Sequence, residues 1–299
     1  SGNGNFTSFN ATNATATVIS SQITVTPMMT NLGVNCPGTP MVFNYAVNPI
    51  PVMANPQDQT LCHGNQTQVV TFTSNVSGTA YDWVASNTAI GITASGVGNI
   101  GIFGAVNTGS TVQSSTVTIT PSFTNGTATC YGVPQNVVFN VNPIPSVQDP
   151  VDQVICAGQN TNTVSFSGTA TVYNWINSNS SIGLAASGAG DIIAFTGINN
   201  SNVPQTANII VTPQFVFGGI PCTGSAQSFT ISVNPSPVIN YNQPTPQAVC
   251  SNSTTNSVTI SSPTPNTTFN WSIPSVPTGI SGLTVTSGTN SSTIPSFTL

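Results

Sequence analysis

Six cysteines, one histidine and five aspartates are the side chains of this 299-residue chain best suited to act as nucleophile, base or metal ligand. Cys36, Cys130 and Cys222 recur at one place in a repeating pattern, and Cys62, Cys156 and Cys250 at another. Thiols at a fixed period could close disulfides or bind a metal. Cys62-His63 is the only Cys/His pairing, but neighbours on a strand face opposite ways, and the corresponding positions hold Ala157 and Ser251. His63 is also the only conventional base for a Ser or Cys nucleophile, and nothing in the sequence marks a partner to orient it. Asp149 and Asp152 flank one junction and Asp58 another, which raises a calcium-stiffened linker. The third junction has Pro246 where Asp58 and Asp152 stand, and calcium wants six or more oxygens. No catalytic residue, metal ligand or cofactor-binding residue is therefore assigned, and no enzymatic activity is expected.

What positions these residues is a repeat. Val47-Asn48-Pro49-Ile50-Pro51, Val141-Asn142-Pro143-Ile144-Pro145 and Val233-Asn234-Pro235-Ser236-Pro237 are three copies of one junction, with Asn48 and Asn142 94 residues apart and Asn142 and Asn234 92 apart. Two prolines one residue apart fix two φ angles and remove two donors, so the junction is neither helix nor central strand. The spacing suits one β-sandwich domain. The expected units are 1–48 (the C-terminal half of a repeat), 49–142 and 143–234 (complete repeats) and 235–299 (the N-terminal part of another).

Charge narrows the partners. The chain has no Lys, Arg or Glu, and charged residues are 2% of it against about a quarter in an average globular protein. Without cations there is no phosphate clamp and no counterion release, so nucleic acid and anionic membranes are excluded as partners. No apolar run is long enough to span a bilayer, and no basic stretch opens the chain as a signal peptide would. Trypsin-like proteases find no cleavage site, which suits exposure to foreign enzymes. Disorder is not expected, because β-branched and aromatic residues alternate with the polar ones.

Within the unit from Pro49, Asp58-Gln59-Thr60-Leu61-Cys62 opens, and Val70-Thr71-Phe72-Thr73 alternates as a strand. In Tyr81-Asp82-Trp83 the period of two puts both rings inward and the acid outward, as in Tyr173-Asn174-Trp175 and Phe269-Asn270-Trp271. Ile90-Gly91-Ile92 and Ser95-Gly96-Val97-Gly98 repeat as Ile182-Gly183-Leu184 and Ser187-Gly188-Ala189-Gly190, and these glycines are expected in tight turns with positive φ. Phe103 and Phe195 close the passage as core residues. Thr116-Val117-Thr118-Ile119-Thr120-Pro121 is expected to be a strand stopped by its proline, followed by a loop holding Cys130 and a strand with Val137, Phe139 and Val141 on one face. About seven short strands per unit and no helical period give an all-β fold, tandem immunoglobulin-like β-sandwiches of about 94 residues.

Val-Asn-Pro-x-Pro, a short strand ending in Cys, Tyr/Phe-x-Trp, Ile-Gly-Leu, Ser-Gly-x-Gly, Ile-Thr-Val-Thr-Pro and a second Cys resemble the PKD-like repeats of giant Bacteroidota cell-surface proteins, including flavobacterial gliding-motility adhesins. The likeness covers essentially the whole chain. It implies export, by the type IX pathway, and extracellular display at the cell surface, and it carries no catalytic residue. For an exported chain, disulfides are the expected use of the cysteines. Two pairings respect the repeat: Cys62 with Cys130 and Cys156 with Cys222 within units, or Cys36 with Cys62, Cys130 with Cys156 and Cys222 with Cys250 across junctions. The first is preferred, because the second makes a chain stiffened by Pro-x-Pro double back.

The ends align with each other as well as with the repeat. Ser1-Gly2-Asn3-Gly4 and Ser287-Gly288-Thr289-Asn290 match the same passage, so the two halves overlap by about a dozen residues. That overlap favours a window on a longer chain over a subunit whose halves complete each other. The expected role is structural: a stalk or filament in adhesion or gliding motility, rising roughly 35 to 45 Å per unit if extended. Its expected partners are neighbouring repeats and other copies. The alternative is an adhesive module whose Thr/Asn faces bind glycans or surfaces.

Overall fold

A computed structural model of the chain describes residue 4 and residues 7–243, 247–276, 278, 280–283 and 285–298. The passage Ser1–Asn3, Pro246 and Leu299 lie outside the described residues, so the readings placed on them have no structural counterpart. The chain divides into two compact bodies, Ser1–Pro145 with Gln214–Thr223, and Ser146–Pro213 with Gly224–Leu299.

The first body begins with strands β1 (Ile19–Val25), β2 (Met28–Asn31), β3 (Val34–Pro37) and β4 (Met41–Val47). β5 (Gln59–Cys62), β6 (Ala80–Ala85), β7 (Ser95–Val97), β8 (Gln113–Asn125), β9 (Ala128–Tyr131) and β10 (Gln135–Asn142) form a six-stranded sheet in the order β5-β10-β8-β6-β7, with β9 on the far half of β8. β5 runs parallel to β10, and the other pairs are antiparallel. Alternation decides the core: Val117 and Ile119 of β8 and Val137, Phe139 and Val141 of β10 are all fully buried. Each such side chain is worth about 1.5–3 kcal/mol of transfer free energy. Trp83, Ile90 and Ile100 cover them, and the Phe103 ring meets Phe139 edge-on at 5.2 Å.

The layer facing this sheet differs from the expected ladder of strands. It touches at single bridges, Met53 with Ser74, Gln66 with Gly104 and Val70 with Ile100. Polar side chains do the work a longer ladder would do. The Thr67 hydroxyl accepts from the Phe103 N–H at 3.0 Å, and Asn99 Oδ1 accepts from the Phe72 N–H at 2.8 Å. Each backbone N–H is thereby given a side-chain acceptor in place of a ladder carbonyl.

The second body repeats the plan with β11 (Gln153–Cys156), β12 (Val172–Asn177), β13 (Ser187–Ala189), β14 (Gln205–Phe217), β15 (Ile220–Thr223) and β16 (Gln227–Asn234), in the order β11-β16-β14-β12-β13 with β15 on β14. The tip of that last pair, Gln214–Thr223, belongs to the first body. Ala207, Ile209, Val211, Ile231 and Val233 are fully buried, under Trp175 and Ile182. Short pairings follow among β17 (Asn240–Tyr241), β18 (Val258–Ser261), β19 (Trp271–Ser272), β20 (Ser287–Gly288) and β21 (Thr293–Ile294). The architecture is all-β, of tandem immunoglobulin-like sandwiches.

Two local expectations are corrected. β8 and β14 do not stop at Pro121 and Pro213 but run through them for 13 residues each. Proline lacks only the donor; its carbonyl still accepts, from Gly132 N–H at 2.9 Å and from Gly224 N–H at 3.0 Å. The Ser-Gly-x-Gly glycines also divide. Gly98 and Gly190 take φ of 68° and 72° as turn residues, whereas Gly96 and Gly188 lie in β7 and β13, where any Cβ would enter the Trp83 or Trp175 ring. Those two are the floor on which each tryptophan lies.

Candidate functional site

Beyond its proline each long strand turns back on itself and makes an arm. In β14–β15 the pairing closes at Phe217 and Ile220, and Gly218 and Gly219 between them take φ of 59° and 75°, as a two-residue hairpin requires. β8–β9 closes at Asn125 and Ala128, and β2–β3 at Asn31 and Val34 with Leu32 and Gly33 at positive φ. Cys36, Cys130 and Cys222 all sit third in the returning strand, of β3, β9 and β15. The sequence reading placed Cys130 in a loop. The dipeptides Asn125-Gly126 and Gly218-Gly219 between alternating segments were the hairpin signal, overruled by the proline before them.

The β14–β15 arm is anchored in the first body. Cys222 is disulfide-bonded to Cys62, with Cα atoms 5.6 Å apart. Asn142, fully buried, donates from Nδ2 to the carbonyls of Phe217 at 3.2 Å and Ile220 at 3.1 Å. Gly218 lies so close to Thr60 that a Cβ would stand 3.0 Å from its hydroxyl. The Asn of Val-Asn-Pro is therefore a receptor for an arm as well as a junction residue. Asn48 repeats the contact on the β8–β9 arm: its Nδ2 donates to the Ala128 carbonyl at 3.1 Å, and its Oδ1 accepts from Asn125 Nδ2 at 3.0 Å.

Both expected pairings are thereby corrected. Cys62 is not joined to Cys130, nor Cys156 to Cys222, and no bond spans adjacent cysteines; Cys130, Cys156, Cys36 and Cys250 are free thiols. The physical reason is the arm: continuing past Pro213, it brings Cys222 to the end of β5. The 160 residues enclosed give about 5 kcal/mol by the chain-entropy estimate, more than the loop expected within a unit.

The other candidate residues are structural. His63 Nδ1 accepts from the Asn107 N–H at 3.0 Å, so that nitrogen is committed to a backbone contact. Asp58 and Asp152 each accept a backbone N–H of the last strand, from Val138 at 2.7 Å and Thr230 at 2.6 Å, and Asp191 accepts from Phe166 at 3.0 Å. These carboxylates fasten strand ends. Among the described residues no three His, Cys, Asp or Glu side chains gather as metal ligands.

Two repeated fasteners were not read from sequence. Asn107 and Asn199 are buried and donate to Val141 and Val233 carbonyls at 2.6 and 2.7 Å, and Asn13 does the same to Val47 at 2.8 Å. Gln59, Gln153 and Gln247 each clasp a backbone nine residues on, at Gln68, Asn162 and Asn256. Their recurrence at the repeat spacing was the available signal. Burial raises the Tyr81 phenol above its ordinary value of 10.0, with a bond to Ser74 pulling the other way. None of the described helices is long and apolar enough to cross a membrane.

No protein-family profile matches the chain, and no curated protein matches it. Among solved structures it is similar to Dpr2 immunoglobulin domains crystallised with DIP-Theta, at 14% identity, covering 75% of this chain and 80% of that one with a TM-score of 0.38. It is also similar to a titin I-band fragment, at 10% identity, 72% and 77% coverage and a TM-score of 0.43. Mouse cadherin-23 extracellular repeats match at 12% identity, 72% and 74% coverage and 0.33. At these scores the fold assignment stands on strand order, register and burial.

Proposed function

We propose that this chain is a run of structural repeats in a long extracellular filament or adhesin stalk at a bacterial surface, exported by the type IX pathway and serving adhesion or gliding motility. The repeats are 1–48, 49–142, 143–234 and 235–299, and their partners are neighbouring repeats and other copies, with no cofactor and no chemistry. One observation supports the reading above others: Cys62 and Cys222, 160 residues apart, are joined across the Val141–Pro145 junction. Tension applied outside that pair passes through the sulfurs and cannot draw out the segment between them. A module that only binds has no use for such a load path.

Single-molecule pulling tests it. The oxidised chain is expected to keep residues 62–222 from extending, and the reduced chain to release roughly 530–580 Å more contour at ~3.3–3.6 Å per residue. Equal extensions would remove the mechanical role. Saturable binding of the isolated chain to a polysaccharide would move the reading to an adhesive module that grips glycans or surfaces directly.

A further inference from the structure

Four thiols remain free: Cys36 and Cys130 on arms, and Cys156 and Cys250 near the starts of repeats. One rule explains why a single pair is closed. Cys62 ends β5 opposite Asn142, and Cys156 ends β11 opposite Asn234, so these are equivalent first-strand positions. The closed bond joins such a cysteine to the arm cysteine 160 residues after it. Applied to Cys36, Cys130, Cys156 and Cys250, the same interval finds no cysteine among these residues. Only Cys62 and Cys222 find each other within these residues.

The place beside Cys130 is prepared for that partner. The β8–β9 arm already holds the Asn48 side chain as the β14–β15 arm holds Asn142. Among the described residues β4 pairs only with β1, so the edge on which β10 carries β5 is open there. A pocket of about 490 Å³ lies there, lined among others by Ala11, Ala14, Val47, Ile50 and Cys130. A strand paired in the β5 register would put its cysteine opposite Asn48, next to the arm that carries Cys130. The adjoining face is only partly covered, by the Phe9 ring edge-on to Tyr45 at 6.3 Å: Phe43 and Tyr45 are 46% and 43% exposed, while Val137 and Phe139, at the same register, are 0% exposed.

We propose that Cys36 and Cys130 each close a disulfide with the first-strand cysteine of a neighbouring repeat, and Cys156 and Cys250 each with the arm cysteine of one. The proposal rests on register and does not need the stalk reading. The neighbouring repeat is that of a second copy of this chain. Cys36 to Cys130 and Cys156 to Cys250 are both intervals of 94 residues, so two copies close both bonds in one register. Oxidised glutathione suffices as oxidant: one thiolate forms a mixed disulfide and expels a glutathione thiolate, and the second thiolate displaces the other. Two cysteines lose two electrons, and both protons pass to the released glutathione.

The probe is a second copy of the chain. A variant with Cys36→Ser and Cys130→Ser keeps only first-strand thiols free, and one with Cys156→Ser and Cys250→Ser keeps only arm thiols. In glutathione buffer each alone is expected to stay monomeric on a non-reducing gel, while the mixture gives dimers whose peptides are Cys36–Cys156 or Cys130–Cys250. Dimers within either variant alone, or none in the mixture, would overturn the proposal. In peptide mapping of the secreted protein Cys130 is expected to be joined to Cys250; Cys130 joined to a cysteine outside residues 1–299 would overturn the proposal. Finding Cys130 free or joined to Cys36 there would also overturn it.

Discussion

The β1–β4 pair and the β8–β10 pair are the same structure in two circumstances. Both are antiparallel with matching register, Ile23 opposite Phe43 in one and Val117 opposite Val137 in the other. In β8–β10 Val137 and Phe139 are fully buried, whereas in β1–β4 Phe43 and Tyr45 are exposed by nearly half. The difference lies in what stands in front: β8–β10 is covered by Trp83, Ile90, Ile100 and Phe103, whereas among the described residues the ring contact on β1–β4 is that of Phe9 with Tyr45. An alternating strand therefore makes a face and no more. Stability belongs to the pair of layers.

The largest expected contrast is between Phe139→Ala and Tyr45→Ala. The first empties a closed core and should cost about 3–5 kcal/mol. The second removes a ring that is 43% exposed and touches Phe9, and should cost about 1 kcal/mol. Urea unfolding of both variants measures this; equal costs would mean that the half repeat has a core of its own. The buried asparagines sharpen the comparison at smaller scale. Asn107→Ala leaves the Val141 carbonyl buried without its donor, about 1–3 kcal/mol, whereas Asn13→Ala frees carbonyls that water can reach and should cost about 1 kcal/mol or less.

The smallest effect is a pH dependence from Tyr81. Burial raises the Tyr81 phenol in the folded state above its unfolded value of 10.0, so folding favours the protonated form. Its contribution is complete below pH 10 and is lost as pH rises through the folded value. As pH rises past about 10 the wild type should therefore lose more stability than Tyr81→Phe; identical slopes would remove the effect.

Much of the architecture was legible. Val117, Ile119, Val137, Phe139 and Val141 announced one face by their period of two, and Trp83 and Trp175 announced the core by size. The arm was not legible, because a proline in a β run reads as a stop while the structure uses its carbonyl and continues. The disulfide followed the arm: once Cys222 is carried to the end of β5, no symmetric pairing within units survives. Gly96 and Gly188 looked like turn residues, since a glycine that makes room for a ring reads the same as one that makes a turn.

By itself the order of residues determined strand period, repeat length, the absence of cationic chemistry and the inward set of large side chains, all of which follow from neighbours one or two places apart. Only the tertiary structure decided that Cys62 meets Cys222, that Asn142 receives an arm, and that Phe43 stays wet while Val137 is dry. Those outcomes depend on which distant segment arrives at a surface. Side-chain alternation says nothing about that, because the same face is presented whether or not anything comes to cover it.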